Sequence, residues 1–589
     1  MAASSRAPIL VLILMTLLAG CGPSTPTNRD AQRGSDAASG RATGPKRLVT
    51  AVTSDLPSLR TTLSRAAGGT LAGAPELEQL MHAGLTIIDN AATLQPQLAE
   101  AVPTVENGLW KVFPDGRMET TWKLRPAALW HDGTPVTADD FVFTARVAQD
   151  PTLVAFRHIA FAAVERVDAP DPRTLVITWQ QPFIEADRMF AADGSVQSLP
   201  LPRHLLERAY QDNKAGFLEV PAVGADEFVG AGPFKLKEWV RGASVQLEAF
   251  DRYVLGRPKI DFIEVRFIPD PNTMLANILG GTVETPIGRG VGFEHGLQLG
   301  EQWRDGKVEY SSGGSIKVWA QLLYPNPAIV GDVRFRRALY HAIDRQQLID
   351  TLLAGRSEIA HTQVTPSDPE YLELIGRAVR YDYDPRRTAQ IMEGMGYARA
   401  SDGIYRDPRG DRLVVEYRSS PMDILRKTKL VVADYWQGVG VSVNVVDDPP
   451  NRRGDNEYRA MYPGFDMSRG NAGTEAFRTF HSSDARGAHN RYIGQNVPNY
   501  VNPELDALID RFYVTIPRDE RLRVAGDIVH HLTDQVIVMD QFYDATPTAV
   551  GNRLINVPNK VARGGTNTWN AHEWDVRLGH SLAQRSPSE

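Results

Sequence analysis

The stretch Trp122-Lys123-Leu124-Arg125-Pro126-Ala127-Ala128-Leu129-Trp130-His131-Asp132-Gly133-Thr134-Pro135-Val136-Thr137-Ala138-Asp139-Asp140 carries the reading of the fold. Asp132-Gly133-Thr134-Pro135 is turn chemistry, because Gly reaches conformations closed to other residues and Pro pre-sets its own φ. Thr137-Ala138-Asp139-Asp140 has capping-box form, and Phe141, Thr144, Ala145 and Ala148 follow at helical spacing. His131 and Asp132 sit in a turn that leads into a capped helix, so they read as structural and not as a catalytic dyad.

Outward from this stretch, strands and helices alternate. Asp171-Pro172-Arg173 turns into Thr174-Leu175-Val176-Ile177-Thr178-Trp179, a β-rich run. Val245, Leu247 and Ala249 alternate with Ser244, Gln246 and Glu248, and Ile263, Val265 and Phe267 with Glu264 and Arg266. These are half-buried strands. Asp332 caps a helix with a buried stripe at Phe335, Ala338, Leu339, Ala342 and Ile343. Asp344 caps the next, with Gly355 as its stop, and Asn502-Pro503 opens a third over Leu505, Leu508, Ile509 and Phe512. The chain is α/β.

Several segments, taken in order, resemble the bacterial extracellular solute-binding proteins of family 5, the oligopeptide, dipeptide and nickel binders. Gly84-Leu85 with Leu94-Gln95-Pro96-Gln97-Leu98-Ala99 is similar to the family's "gL … P.LA" element. The opening stretch is similar to an aromatic, "LR" and "dG.pvTAeDv". Gly230-Ala231-Gly232-Pro233-Phe234-Lys235-Leu236 stands where the family has "GtGPykl", and Tyr253 with Gly256-Arg257-Pro258-Lys259-Ile260-Asp261 follows in register. Asp332 to Arg345, Asp382-Tyr383-Asp384-Pro385 and Tyr500-Val501-Asn502-Pro503-Glu504-Leu505-Asp506 complete the series.

The resemblance implies a two-lobed fold of the periplasmic-binding-protein type (type II, cluster C) with a small extra domain on lobe one. The expected organisation is a signal peptide over 1–20, a tether over 21–46 and lobe one over 47–300 with the extra domain inserted at about 70–180. Lobe two is expected over 301–540, with a return to lobe one over 541–589. It further implies ligand capture in a hinged cleft and delivery to an ABC permease with its ATPase subunits.

The chain's start supports export. After Arg6, Pro8 to Leu18 carry no charge, and Leu18-Ala19-Gly20-Cys21 resembles a lipobox, at which Cys21 is acylated and becomes the new N-terminus. That apolar run is far short of the roughly 20 residues that span a bilayer. Cys21 is the only cysteine in 589 residues, so no disulfide is expected and a thiolate site is excluded. Gly, Ser, Thr, Ala and Pro dominate from Gly22 to about Lys46, the composition of a flexible tether. A formal net charge of −7 without a basic cluster argues against nucleic acid as a partner. The expected partners are a peptide or other small solute, the permease, and the membrane through the lipid. The protein is expected to be a monomer at the cell envelope.

No catalytic constellation is present: no Gly-x-Ser-x-Gly elbow, no His-Glu-x-x-His, no phosphate loop. No cofactor or metal is expected, and His530-His531 falls on adjacent helix faces. A binding cleft needs aromatic walls, a few fixed charges and backbone groups. The candidates are Ser54 and Asp55 after the first strand, Gly230 and Ala231, Trp319, and Phe465, Asp466, Arg469 and Asn471. In peptide-binding relatives an aspartate of lobe two pairs with the ligand's ammonium group. The family's acidic "D..DP" pattern is absent here; Asp466 stands as a substitute, while Arg469 brings the opposite charge and leaves a ligand carboxylate open. The alternatives are an exported hydrolase acting on peptides or cell-wall fragments, and a ligand-sensing receptor.

Overall fold

A computed structural model describes residues 44–66, 71–156, 159–192, 199–452, 455–470, 472–558 and 564–577. Cys21, the signal segment, the tether up to residue 43, and Asn471 lie outside the described residues.

Two five-stranded sheets organise the chain. The first runs in the order Thr285–Pro286, Arg47–Val52, Phe262–Phe267, Ser244–Ala249, Phe234–Val240. Its strand Arg47–Val52 is parallel to both neighbours, and Phe262–Phe267 is antiparallel to Ser244–Ala249. Leu48, Ala51 and Val52 are all but fully buried, as expected of a strand covered on both faces. The alternation read from the sequence holds: Val245, Leu247, Ile263 and Val265 are fully buried.

The second sheet runs Ser442–Asp447, Val414–Ser419, Phe465–Gly470, Ser315–Ala320, Val538–Tyr543. Helices Val333–His341, Arg345–Leu353 and Asp423–Gly438 cover one face and share a core with Val318, Val415 and Met467. Their caps form as the sequence requires: Asp332 accepts from the Arg334 N–H and Asp344 from the Gln347 N–H. Helices Pro503–Val514 and Arg518–Asp534 build a second core that includes Trp319 and Phe480.

Strands Gly306–Ser311 and Thr546–Gly551 pass between the two sheets and pair antiparallel over their whole length. The helix Phe293–Gln302 precedes the first of these strands and the strand Val538–Tyr543 the second.

A separate four-stranded sheet, Trp110–Val112, Met118–Lys123, Thr174–Trp179, Val164–Asp171, grows out of the first part of the chain. Its core holds Trp122, Trp130, Trp179, Phe141 and Phe190 and draws on residues from Ala83 to Tyr253. The stretch quoted first is a fastening point of this core. Gly133, at φ +93°, makes its turn. Asp140 accepts from the Thr137 N–H at 2.8 Å, from Trp130 Nε1 at 3.3 Å and from the Arg203 N–H at 2.9 Å, tying turn, helix and a distant segment together.

Candidate functional site

The strand Phe465–Gly470 divides its side chains between two faces, as strand geometry demands. Phe465 and Met467 enter the helix-covered core, and Phe465 is fully buried with its ring 4.9 Å from that of Trp436. Phe465 is therefore a core residue and not a cleft wall. Asp466 and Ser468 take the other face. There Trp319, opposite Asp466 across the ladder, donates from Nε1 to Ser468 Oγ at 2.7 Å and tilts against Phe480 with centroids 6.0 Å apart.

Beside Asp466 lies a cavity of about 80 Å³, with Arg418, Asp448, Tyr458, Arg459, Ser468 and Arg486 in its lining. Each element that frames it is locally determined. Arg418 stands opposite Asp466 in the parallel neighbour strand. Asp455 caps the short helix Asn456–Ala460 by accepting from the Tyr458 N–H at 2.9 Å, which fixes Tyr458 and Arg459. Asn499 accepts from the Arg486 N–H at 2.8 Å and donates to the Ala460 carbonyl at 3.1 Å, binding the Arg486 segment to that helix.

The electrostatics of this cavity are unbalanced. Arg418 is paired with Glu416 and lies 4.6 Å over the Tyr458 ring. Asp448 accepts from the Tyr458 hydroxyl at 3.3 Å. Arg486 is only 6 % exposed, yet its Nε and Nη2 have no hydrogen-bond partner among the described residues. Burial lowers the pKa of Arg486. Burial, with repulsion from Asp448, pushes Asp466 up to about 7, against the pull of Arg486, Arg459 and Arg418.

Arg469, three residues along, belongs elsewhere. It pairs with Asp544 and donates from Nη2 to Thr546 Oγ1 at 2.8 Å, at the start of the returning strand. Burial and the charge of Arg289, in the loop after the strand Thr285–Pro286, lower its pKa. Asp466 and Arg469, candidates for one site in the sequence, thus serve two places.

Gly230 and Ala231 are buried, and their close approach is to protein. A Cβ on Gly230 would lie 2.0 Å from the Met81 carbonyl oxygen, and one on Gly232 would lie 2.3 Å from the His82 nitrogen. His131 fastens the same segment: its N–H donates to the Gly230 carbonyl at 2.9 Å, and its Nε2 sits 3.0 Å from the Gly232 carbonyl oxygen. Burial pushes the imidazole down to about 4, so it is neutral there. Asp55 is exposed at the end of the first strand and Ser54 is half-buried.

A larger cavity of about 390 Å³ lies between Leu322, Tyr500 and Val501. Its one charged side chain, Arg336, donates to the carbonyls of Val536, Val330 and Gln535 and has no free edge. Among the described residues no cluster of three or more His, Asp or Glu side chains is placed to hold a metal ion. No helix among them is long and apolar enough to cross a membrane.

Second-sheet elements touch the four-stranded domain and the first lobe directly. The Ile184 N–H donates to the Tyr513 carbonyl at 3.1 Å, and Arg188 pairs with Glu475, whose carbonyl accepts from the Tyr513 hydroxyl at 3.0 Å. Lys427 pairs with Glu294.

Residues 93–487 match the bacterial extracellular solute-binding proteins, family 5 middle region. The chain belongs to that family. Among family 5 relatives, the oligopeptide-binding protein AppA of Bacillus subtilis is 23% identical over 453 residues, 74% of this chain and 75% of AppA. An oligopeptide-binding protein of Thermus thermophilus, solved with a pentapeptide, superposes with a TM-score of 0.70 at 21% identity, covering 90% of this chain and 96% of the other. NikZ of Campylobacter jejuni, solved with Ni(L-His), gives 0.69 at 20% identity, covering 90% and 99%. The fold is the α/β two-lobed architecture of these family 5 binding proteins.

Proposed function

We propose that this protein is the substrate-binding component of an ABC importer, which takes up a peptide or comparable small solute between its lobes and passes it to a membrane permease and its ATPase subunits. The observation that carries this reading is the pair of separately cored lobes joined by the strands Gly306–Ser311 and Thr546–Gly551. Two strands are a small cross-section, so rotation there disturbs little packing, whereas the lobes themselves move as rigid bodies. Ligand then stabilises whichever lobe arrangement it contacts on both sides.

In this reading Cys21 carries the lipid that holds the protein at the envelope, and residues up to about 46 give it reach. The crossing strands are the hinge, with lobe one before and after them and the four-stranded sheet as its added domain. The protein works as a monomer. Peptide is favoured as cargo by the names of the relatives reported above, two of which bind oligopeptides.

Native mass spectrometry of the purified full chain, followed by denaturation, tests it. Release of intact peptides is the expected result. A nickel chelate or a sugar in their place would replace the cargo class, and time-dependent cleavage of an added peptide library would sink the carrier reading.

A further inference from the structure

A hinged cleft needs two lobes; the four-stranded sheet with its own core is a third body, and its task lies in what it touches. The segment after its strand Thr174–Trp179 is fixed from within. The Phe183 ring stacks on Trp179 with centroids 5.3 Å apart, and Ala186, Met189 and Phe190 are buried in the same core. Ile184, between these anchors, packs instead against the core built by the helices Pro503–Val514 and Arg518–Asp534. The exchange runs both ways. Tyr513 and Ile516, from the end of the first of those helices and the turn after it, pack against the core of the four-stranded sheet. Arg521 holds that turn in place by donating from Nη1 to the Thr515 and Ile516 carbonyls at 3.2 and 2.6 Å. The Ile184 N–H then bonds the Tyr513 carbonyl, and the ion pair Arg188–Glu475 lies alongside. A partly solvated ion pair is worth little and is screened by salt, whereas interdigitated apolar side chains are not. The apolar exchange is therefore what sets the strength of this contact.

We propose that the four-stranded domain is a clasp, in which Ile184 interlocks with Tyr513 and Ile516 of lobe two and holds part of the population in this lobe arrangement before any cargo arrives. The clasp tunes affinity without touching cargo. The observed dissociation constant is the intrinsic one divided by the fraction of molecules already in the competent arrangement. Weakening the clasp therefore lengthens the lobe separation of the empty protein and weakens every cargo by one common factor. The clasp rests on the two-lobe carrier reading, in which the lobes move about the crossing strands.

Electron–electron resonance between spin labels on the exposed positions Lys259→Cys and Asp411→Cys, in a full chain carrying Cys21→Ala, reads the lobe separation of the empty protein. Ile184→Ala should lower the ratio of close to open molecules about tenfold, the factor that removing a half-buried isoleucine side chain supplies. Ile516→Ala, from the other side, should give a similar shift, and the double variant little more, because both remove one contact. The shifts should persist at 0.5 M salt. Isothermal titration with two pentapeptides of unlike charge, Ala-Ala-Glu-Ala-Ala and Ala-Ala-Lys-Ala-Ala, should show both weakened by the same factor, no larger than the shift in the ratio. A distance distribution that neither variant changes, a loss confined to one of the two peptides, or an effect that salt abolishes would overturn the proposal. The two readings fail separately. If no peptide binds, the shift of the empty Ile184→Ala protein still reports the clasp. If peptide narrows the distribution but neither variant moves it, the clasp falls and the carrier stands.

Discussion

Asp466 shows how one carboxyl group is set by its surroundings. Desolvation and the neighbouring Asp448 favour its neutral form, three arginines favour the charged form, and the first pair prevails, leaving it at about 7. The folded state therefore binds more protons than the unfolded chain between about pH 4 and pH 7. The sign follows: this group's contribution is fully present below the unfolded pKa and is lost as pH rises through the folded one. Asp466→Asn removes the dependence. Urea unfolding at pH 5 and pH 8 should show wild type losing about 1–3 kcal/mol relative to Asp466→Asn across that interval, a discounted figure for a half-buried group. A parallel pH response in the two proteins would show that Asp466 titrates as an ordinary surface carboxylate.

At the scale of the element, the strand Ser315–Ala320 is buried along its whole length although it carries Ser315 and Lys317. The ladder explains this. Lys317 stands opposite Asp540 in Val538–Tyr543, with Nζ 3.5 Å from Oδ1, and Ser315 donates to the same oxygen at 2.7 Å. Asp540→Leu strands a buried ammonium and should cost about 3–5 kcal/mol, whereas Lys317→Met with Asp540→Leu should recover most of that loss. Chemical denaturation of the two single variants and the double variant checks the cycle; simple additivity would show that the charges do not couple. The same scale marks how far the sequence could be read. Caps at Asp332, Asp344 and Asn502, and the alternation at 244–249 and 262–267, are local signals, and they appear as read. The parallel pairing of Arg47–Val52 with Phe262–Phe267 joins segments far apart in the chain, and no local pattern specifies it. The site was legible only in part for the same reason. Asp466 is legible only through the resemblance, as a substitute for the family's absent acidic pattern, whereas Arg418, Asp448, Arg459 and Arg486 come from a strand, a short helix and two loops with no fixed spacing. An arginine in a polar loop reads as solvated surface until folding buries it. The glycines of Gly230-Ala231-Gly232 mark a segment where backbone can come close, but nothing local in the sequence names the neighbours they meet, Met81 and His82.

For the whole molecule, the ion pairs Arg188–Glu475 and Lys427–Glu294 join elements of the two halves and are partly solvated, which sets how much they can bias closure. Arg188 and Glu475 retain 21% and 24% of their side-chain exposure, and the Lys427–Glu294 pair is more open at 42% and 65%. Pairs of this kind contribute about 0.2–1 kcal/mol and are screened by salt. If closure is the step that ligand stabilises, Glu475→Ala should therefore shift the open–closed ratio by no more than about fivefold, and weaken peptide binding by the same factor through the dissociation rate. Spin labels on Lys259→Cys in lobe one and Asp411→Cys in lobe two, both exposed, report the lobe separation directly. Cys21 is the native chain's sole cysteine, so a Cys21→Ala background confines labelling to the two new positions. Added pentapeptides should narrow the distance distribution of the wild-type background, Glu475→Ala should broaden it without ligand, and 0.5 M salt should bring the two closer together. A distribution that peptide leaves unchanged would mean that the crossing strands are a rigid strut, and that any cargo enters a cleft already closed.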